Sequence, residues 1–293
     1  MMDIENRLLA SAGRVEHFLG QLLTTEDKDL LSLYASMRYS ALSGGKRIRP
    51  FLTLETAQMF GGEAKKAIYF AAALEMVHTY SLIHDDLPCM DDDDLRRGKP
   101  TNHKVYGEAV ATLAGDGLLT GAFELLCAAD LPSDAVRAAV RVLAEAAGAD
   151  GMVGGQVMDL SAENNEISFD TLVKIHTLKT GALITAAVRL GMIAAGVTDA
   201  EAQSAMINYA HSIGLAFQIV DDVLDAAGDE SALGKPVGSD AEQGKVTFLH
   251  FLAPDEAMAY AEKLTESAER ALAPFTNSET LCALARYLLE RNH

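Results

Sequence analysis

Apolar residues recur at helical spacing along almost the whole chain, and Gly-rich or Pro-containing breaks separate one periodic stretch from the next. Ala and Leu dominate the periodic stretches, which favours helix over strand. Strand-type alternation of apolar and polar residues is hard to find. The pattern therefore predicts helices over residues 3–22, 26–42, 50–59, 63–86, 105–128, 133–149, 169–177, 179–195, 199–226, 241–251, 254–272 and 278–291.

The chain shows no internal boundary. No Pro- or Ser-rich linker and no shift of composition divides it, and 49% of its 293 residues are apolar, enough for a sizeable core. A long polar stretch, 228–244, follows an Asp-rich segment, and both a functional lid and a solvated surface loop fit it. We expect one all-α domain over residues 1–293.

Charge and cysteine use narrow the class of protein. The formal net charge of −18 argues against a nucleic-acid partner, because such a partner needs a basic face. Three scattered cysteines, Cys89, Cys127 and Cys282, indicate reduced thiols. The first residues lack the apolar segment of a signal peptide, and the longest apolar stretch, 181–196, is too short to span a bilayer. We expect a soluble, cytoplasmic protein without a membrane span.

Two aspartate clusters stand out, and the second lies on a predicted helix. Asp221 and Asp225 are four residues apart and share one helix face, and Gln218 projects toward the same side. A solvated helix face is the commoner meaning of such a pair. Here an apolar run over 213–220 precedes the acids, so this end of the helix is expected to line a cavity.

The first cluster is expected to leave the helix. Asp85 and Asp91 are six residues apart, which on an unbroken helix would rotate them by about 120°. Pro88 disfavours continued helix, so a turn is expected to bring Asp91 back beside Asp85. The acids at 92–94 are expected to pair with the arginines that follow or to meet solvent.

The chemistry of the two clusters suggests a metal-held anion. Carboxylates this close repel one another and raise each other's pKa unless cations neutralise them. Mg²⁺ takes oxygen ligands and shares its coordination with substrate phosphates. Basic residues follow both clusters, namely Arg96, Arg97, Lys99, Lys235 and Lys245. We expect the two aspartate clusters to form two facing acidic walls, the first at Asp85 and Asp91 and the second at Asp221 and Asp225. Metal ions would hold one diphosphate between these walls.

A second anion site is expected to need no metal. The segment GGKRIRP at 44–50 offers Lys46, Arg47 and Arg49, and guanidinium forks bind phosphate in a bidentate manner. A basic surface turn is the alternative. His78 lies seven residues before Asp85 on the same helical stripe, about 10 Å away. An ordinary core histidine is the alternative there.

Three further residues suit a reaction that builds positive charge. Lys179 can hold a leaving diphosphate, and Thr180 and Gln218 can point dipoles at a developing cation. Together with the acidic walls they describe one metal-rich and one metal-free diphosphate pocket facing a helical apolar interior.

In this combination the sequence resembles the trans-isoprenyl diphosphate synthases, most closely those of the bacterial farnesyl diphosphate type. The resemblance covers essentially the whole chain and implies an all-α bundle of mostly antiparallel helices around a central cavity, usually a homodimer. It is carried by GGKRIRP (44–50), HTYSLIHDDLPCMDDDDLRRGKPTNH (78–103), GMVGGQVMDL (151–160), KTG (179–181), FQIVDDVLD (217–225) and LGKPVGSDAEQGKVTF (233–248).

The resemblance also implies a role for each motif residue. Two Mg²⁺ ions would be bound by Asp85 and Asp91, and a third by Asp221 and Asp225, with Mn²⁺ able to substitute. The allylic diphosphate would be held by Arg96, Lys179 and Lys235. Isopentenyl diphosphate would be held by Lys46, Arg49, His78 and Arg97. The path of the allylic cation would be lined by Thr180 and Gln218. The catalytic set would thus be Lys179, Thr180, Gln218, Asp85 and Asp221.

The implied activity is that of a prenyltransferase that condenses isopentenyl diphosphate with dimethylallyl and then geranyl diphosphate to give farnesyl diphosphate. Tyr80 and Ser81, just before the first cluster, would set product length. A geranyl or geranylgeranyl diphosphate synthase is the alternative. A class I terpene cyclase would have no use for the cations at 44–50, and a non-catalytic subunit would not need every aspartate intact.

Overall fold

The structure is a computed structural model that describes residues 4–227 and 245–291. Its α-helices are α1 Ile4–Leu22, α2 Leu31–Ala41, α3 Ile48–Met59, α4 Ala64–Asp85, α5 Asn102–Tyr106, α6 Glu108–Cys127, α7 Ser133–Ala147, α8 Met152–Ala162, α9 Phe169–His176, α10 Ala182–Ala194, α11 Ala200–Ala227, α12 Pro254–Leu272 and α13 Glu279–Glu290. A π-helical turn, Thr177–Gly181, joins α9 to α10, and a short antiparallel hairpin pairs β1 Leu95–Arg96 with β2 Lys99–Pro100. The predicted all-α fold is confirmed.

The most apolar helices form the centre of the bundle. α4 is buried on most of its surface, with Phe70, Leu74 and Val77 fully enclosed, as expected for a helix that is apolar on every side. It packs against α3, α6 and α10. The main hydrophobic cluster extends from these helices to α1, α7 and α13.

A smaller hydrophobic cluster supports the second aspartate motif. Leu172 of α9, Val220 of α11 and Ala257 of α12 pack around Phe248, which lies in a 3₁₀ turn at Phe248–His250. This cluster fixes the end of α11 against the segment that follows the undescribed residues 228–244. α11 therefore joins the two clusters, because Met206, Tyr209 and Ile213 belong to the main cluster and the end of the helix belongs to the smaller one.

Two helix predictions were wrong. Residues 152–162 form α8, although Gly154 and Gly155 suggested a break. A side chain at Gly155 would overlap the backbone of Lys179, so this glycine permits a close approach between two elements rather than ending a helix. Conversely, the described part of the predicted helix at 241–251 contains only the 3₁₀ turn.

Two stretches among the described residues, Glu108–Cys127 and Phe169–Ala194, have the length and apolar composition of a membrane-crossing helix. Both contribute to the core of the bundle, for example through Leu118 and Leu183. Length and composition alone do not distinguish such a segment from a buried core helix. The absence of a membrane span therefore stays a prediction.

A buried ion pair anchors the start of α3. Arg47 adopts the left-handed region at φ 47°, which turns its side chain inward. Its guanidinium pairs with Glu75 of α4 and with Glu16 of α1 at 3.0 Å, and donates a hydrogen bond to the Ala41 carbonyl at 2.6 Å. The side chains of Arg47 and Glu75 are each 1% exposed. Of the three cations in 44–50, Arg47 is thus structural.

Glu75→Ala is expected to lower the free energy of unfolding by about 3–5 kcal/mol, because it leaves a buried guanidinium with less opposing charge. Urea unfolding followed by circular dichroism measures this change. Glu63→Ala is the matched control, since Glu63 pairs with Lys66 at 2.8 Å on the surface, and its unfolding midpoint should match wild type. A Glu75→Ala midpoint equal to that of the control would contradict the anchoring role.

Candidate active site

The first acidic wall forms where α4 ends. After Asp85 the chain turns through Pro88, and the backbone N–H of Asp91 donates to the Asp85 carbonyl at 2.9 Å. The N–H of Asp92 donates to the Leu87 carbonyl at 3.2 Å and closes the turn. The predicted return of Asp91 to the side of Asp85 is confirmed.

The Asp85 carboxyl lies in an environment with too little positive charge to stabilise its ionised form. Burial, helped by the nearby Asp91 and Asp86 carboxylates, raises its pKa to about 6, although Lys179 and Arg96 lower it. The protein cations near Asp85 therefore do not offset the cost of burying its charge. An additional hard cation at this wall would lower that cost, so the donor set fits Mg²⁺.

Arg96 is fixed at the same wall by two carboxylates. It pairs with the buried Asp86 through Nε at 2.9 Å and through Nη2, and its Nη2 donates to Asp93 at 3.1 Å. The expected pairing of the 92–94 acids is confirmed for Asp93, while Asp94 pairs instead with Lys104 at 2.7 Å. The guanidinium is thereby held within electrostatic reach of Asp85.

Lys179 approaches the first wall from the π-helical turn. Its Nζ donates to Asp159 of α8 at 2.6 Å. Burial lowers the pKa of Lys179, but Asp159, Asp85 and Asp91 together raise it above the usual value. The lysine is therefore charged and aimed between α8 and the first wall. Asp159 was not predicted as the partner of Lys179, because in the sequence it is only one acid within the motif segment 151–160.

The second acidic wall lies on the last turns of α11. The Asp221 carboxylate accepts a hydrogen bond from Arg291 Nη2 at 2.6 Å, and Asp225 lies one turn further along. The Arg291 guanidinium also stacks 3.9 Å from the centre of the Phe217 ring. Arg291 was not predicted as a site residue, because in the sequence it is only the basic last residue of the predicted helix at 278–291.

A segment after α11 connects the two walls. Lys245 Nζ lies 3.8 Å from the Asp91 carboxylate, and the backbone N–H of Phe248 donates to Asp222 at 2.8 Å. Residues 245–248 thus contact the first cluster at one end and the second at the other. Lys235, the remaining predicted diphosphate ligand, lies outside the described residues.

The acids do not form a closed metal cage. Across residues 4–227 and 245–291, no group of three or more His, Cys, Asp or Glu side chains converges on one point. Mg²⁺ commonly keeps several waters and is bound by one or two carboxylates plus substrate phosphates. Pairs of carboxylates on facing walls suit that mode of binding.

The predicted metal-free site is a cluster of cations around His78. Arg97 lies over Gly45, where a Cβ would come 2.7 Å from its Cζ, and it donates to the Gly44 carbonyl and to Ser43 Oγ at 3.3 Å. Arg49 Nη1 is 3.3 Å from His78 Nε2. The glycine pair therefore makes room for an arginine that comes from the hairpin.

His78 is neutral in this cluster. Burial lowers its pKa well below the usual value, and Arg49 and Arg97 lower it further. A neutral imidazole nitrogen can accept the hydrogen bond from Arg49. Arg49 Nε is buried, and no hydrogen-bond partner for it occurs among the described residues. The excess positive charge and this open donor suit an anion without a metal ion.

Lys46 lies where the cationic site meets the second wall. Burial lowers its pKa, Arg291 lowers it further, and Asp221 opposes the shift. The electrostatic neighbours of Lys46 therefore include both Asp221 of the second acidic wall and Arg291, which follows α13. The cationic cluster and the second acidic wall adjoin one another at this point.

A cavity of about 400 Å³ extends from these sites into the bundle. Arg49 and His78 of the cationic site line it, as do Asp85 of the first acidic wall and Lys179 beside that wall. Its inner surface is formed largely by apolar or small side chains, including Tyr80, Ser81, Met152, Val153, Val157 and Leu160. Both predicted chain-length residues thus face the cavity.

Thr180 and Gln218 lie together at one side of the cavity. Thr180 lines it, and its Oγ1 donates to Gln218 Oε1 at 3.3 Å. The π-helical turn presents Thr180 next to Lys179, while α11 presents Gln218 one turn before Asp222. The structure therefore brings these two predicted residues into direct contact.

Comparisons with known proteins agree with this geometry. The family model described as polyprenyl synthetase matches residues 31–279. Farnesyl diphosphate synthase of Escherichia coli (strain K12) is 44% identical over 298 aligned positions, covering 99% of this chain and 100% of that protein. Geranylgeranyl pyrophosphate synthase 4 of Arabidopsis thaliana is 44% identical, covering 90% of this chain and 72% of that protein.

Among solved structures, an FPP/GFPP synthase from Zymomonas mobilis superposes with a TM-score of 0.90 at 36% identity, covering 98% of this chain and 99% of that one. Sequence and structure therefore agree over nearly the full length. With its two acidic walls, its cationic site and these relatives, the chain belongs to the polyprenyl synthetase family of trans-prenyltransferases.

Proposed function

We propose that this chain is a farnesyl diphosphate synthase, acting as one isoprenyl diphosphate synthase domain over residues 1–293. One observation carries the proposal: two anion sites of different composition open onto the same apolar cavity. The carboxylates of Asp85 and Asp91 suit a diphosphate that leaves with metal ions. The cations around His78 suit a diphosphate that stays attached to its isoprene unit.

The reaction begins with departure of the allylic diphosphate. Bound Mg²⁺ would act as a Lewis acid on this group, with Asp85, Asp91, Asp221 and Asp225 as the ligands. Lys179, anchored by Asp159, and Arg96, anchored by Asp86, hold the same group from the protein side. By its place in the family motif, Lys235 joins this set.

The allylic cation then forms inside the cavity. Apolar walls exclude water, which would otherwise capture the cation. The Gln218 carbonyl and the Thr180 hydroxyl oxygen present negative dipole ends at its path. Lys46, Arg49, His78 and Arg97 hold isopentenyl diphosphate so that its double bond attacks. The new cation loses a proton, for which the departed diphosphate serves as base.

The cavity also sets the length of the product. Tyr80 is 6% exposed, lines the cavity and packs edge-on against His84 with ring centroids 5.6 Å apart. Its bulk beside the small Ser81 supports a C15 product. The cavity continues along Val153 and Val157 of α8, which favours a C20 geranylgeranyl product as the second candidate.

The active form is proposed to be a cytoplasmic homodimer. Several large apolar side chains are exposed on the described surface, among them Leu9 of α1, Leu31 of α2 and Leu113 of α6. Exposed apolar residues of this size are consistent with burial against a second copy. Reduced Cys89 and Cys127, both exposed, are consistent with a reducing compartment.

Incubation of the full-length chain with Mg²⁺, isopentenyl diphosphate and geranyl diphosphate tests the proposal. Chain-length analysis of the dephosphorylated product is expected to give the C15 alcohol. A C20 product would establish the second candidate instead. Release of diphosphate without consumption of isopentenyl diphosphate would contradict prenyl transfer and indicate a cyclase or phosphatase.

Asp85→Ala and Asp221→Ala are each expected to lower kcat by a factor of about 10³ or more, because the leaving group loses charge stabilisation. The condensation assay measures kcat, and circular dichroism checks that both variants fold. Asp134→Ala, at an exposed acid of α7, is the control and should keep wild-type kcat. Near-normal turnover in either test variant would refute the metal-ligand assignment.

Tyr80→Ala is expected to shift the product toward C20, because it deepens the cavity below the first wall. Product-length analysis with geranyl diphosphate as starter measures the shift. Phe18→Ala is the control, since Phe18 packs against Tyr69 away from the cavity lining, and it should leave the product at C15. Unchanged C15 output from Tyr80→Ala would show that Tyr80 is not the floor.

A further inference from the structure

We propose that Asp222 is a positioning residue that orients the Gln218 amide, holding its carbonyl oxygen toward Thr180 and the cavity. The inference rests on the proposed function, because the allylic cation is what the oriented amide would stabilise. Asp222 lies between the expected metal ligands Asp221 and Asp225, yet it is 4% exposed and turned toward the protein.

The orientation follows from hydrogen-bond chemistry. Gln218 Nε2 donates to Asp222 Oδ1 at 3.1 Å. An ionised carboxylate has only acceptors, so the amide atom that faces it has to be the NH₂ group. The carbonyl oxygen of Gln218 then points the other way, where it accepts from Thr180 Oγ1 at 3.3 Å. A reversed amide would place acceptor against acceptor at Asp222.

Asp222 is itself held by a rigid backbone group. Its second oxygen, Oδ2, accepts from the N–H of Phe248 at 2.8 Å. The Phe248 side chain is fully buried and stacks on His176, with ring centroids 5.1 Å apart and planes at 24°. His176 is the last residue of α9, directly before the π-helical turn that carries Lys179 and Thr180. The Asp222 carboxylate and the turn that carries Thr180 thus both contact the hydrophobic cluster around Phe248.

This arrangement has a direct electrostatic consequence. Thr180 lines the same cavity as Asp85, and the preceding residue Lys179 acts electrostatically on Asp85, so the Thr180–Gln218 pair adjoins the site where the allylic diphosphate is proposed to leave. The carbonyl is the negative end of the amide dipole, and fixing it before reaction avoids reorganisation as positive charge develops. A reversed amide would direct N–H groups toward the cation path and oppose ionisation.

The substitution Asp222→Asn tests the orienting role. In this variant the Phe248 N–H donates to the Asn carbonyl oxygen, so the Asn NH₂ group faces residue 218. The Gln218 amide then has to reverse, because only its carbonyl oxygen can accept from that NH₂ group. We expect kcat to fall by about 100-fold, as when one preorganised group is lost. Ionisation of geranyl diphosphate without isopentenyl diphosphate should slow in parallel. The affinities for inorganic diphosphate with Mg²⁺ and the KM values should stay within about twofold.

A double-mutant cycle with Gln218→Leu separates orientation from metal binding. Leucine has no amide to orient, so Asp222→Asn should cost little further kcat in that background. Equal losses from Asp222→Asn in both backgrounds, or weakened Mg²⁺-dependent binding of diphosphate, would overturn the proposal in favour of a direct metal role. Wild-type kcat in Asp222→Asn would overturn it as well.

Folding is checked by urea unfolding of every variant. If Asp222→Asn alone does not fold, the exchanged pair Asp222→Asn with Gln218→Glu keeps a donor facing an acceptor and should recover kcat to within about tenfold of wild type. If this double variant folds but its kcat is reduced by about 100-fold or more, the result would contradict the proposal. Loss of condensation in the wild-type protein would instead refute the proposed function, so the two failures are distinguishable.

Discussion

Carboxylates beside an apolar cavity have to be matched by positive charge, because burial disfavours their ionised form. The pKa of Asp85, raised to about 6 by burial, shows how strong this constraint is at the first wall. The matching cations come from distant parts of the chain. Lys179 of the π-helical turn acts on Asp85, and Lys245, which follows α11, lies near Asp91. Arg291, which follows α13, pairs with Asp221. The site therefore assembles only when the whole bundle has folded.

The same balance of charge distinguishes the second anion site. Arg47 is committed to the buried carboxylates of Glu75 and Glu16, which fixes the loop at 44–50 against α1 and α4. Arg49 is left facing His78, whose pKa is lowered by burial, so the imidazole adds no competing charge. One loop thus supplies both a structural cation and a cation that faces His78. The cluster around His78 is positive by itself, whereas the first aspartate wall lacks enough positive charge to offset the burial of Asp85.

Much of this arrangement was predictable from local rules of sequence. Helical periodicity gave most helices, and Pro88 with the six-residue spacing predicted the turn that returns Asp91 to Asp85. Spacing of four residues placed Asp221 and Asp225 on one face of α11. These features depend on neighbouring residues, so a single sequence contains them.

Features that depend on tertiary packing were missed. Gly155 was interpreted as a helix break, whereas its role is to admit the Lys179 backbone. That contact joins segments far apart in sequence, so local rules do not reveal it. Asp159 and Arg291 are ordinary charged residues until folding places them on Lys179 and Asp221. The inward turn of Arg47 depends on a buried partner in α4, which periodicity does not reveal.

The difference between the two diphosphate sites is tested most directly by isothermal titration calorimetry of the full-length protein. The ligands are isopentenyl diphosphate and a thiolo analogue of geranyl diphosphate that does not ionise, each titrated with Mg²⁺ and with EDTA. We expect the analogue to bind only with Mg²⁺, because the aspartate walls repel a bare diphosphate. Isopentenyl diphosphate is expected to bind in both conditions at the cations around His78. Equal dependence of the two ligands on Mg²⁺ would contradict the assignment of one metal-rich and one metal-free site.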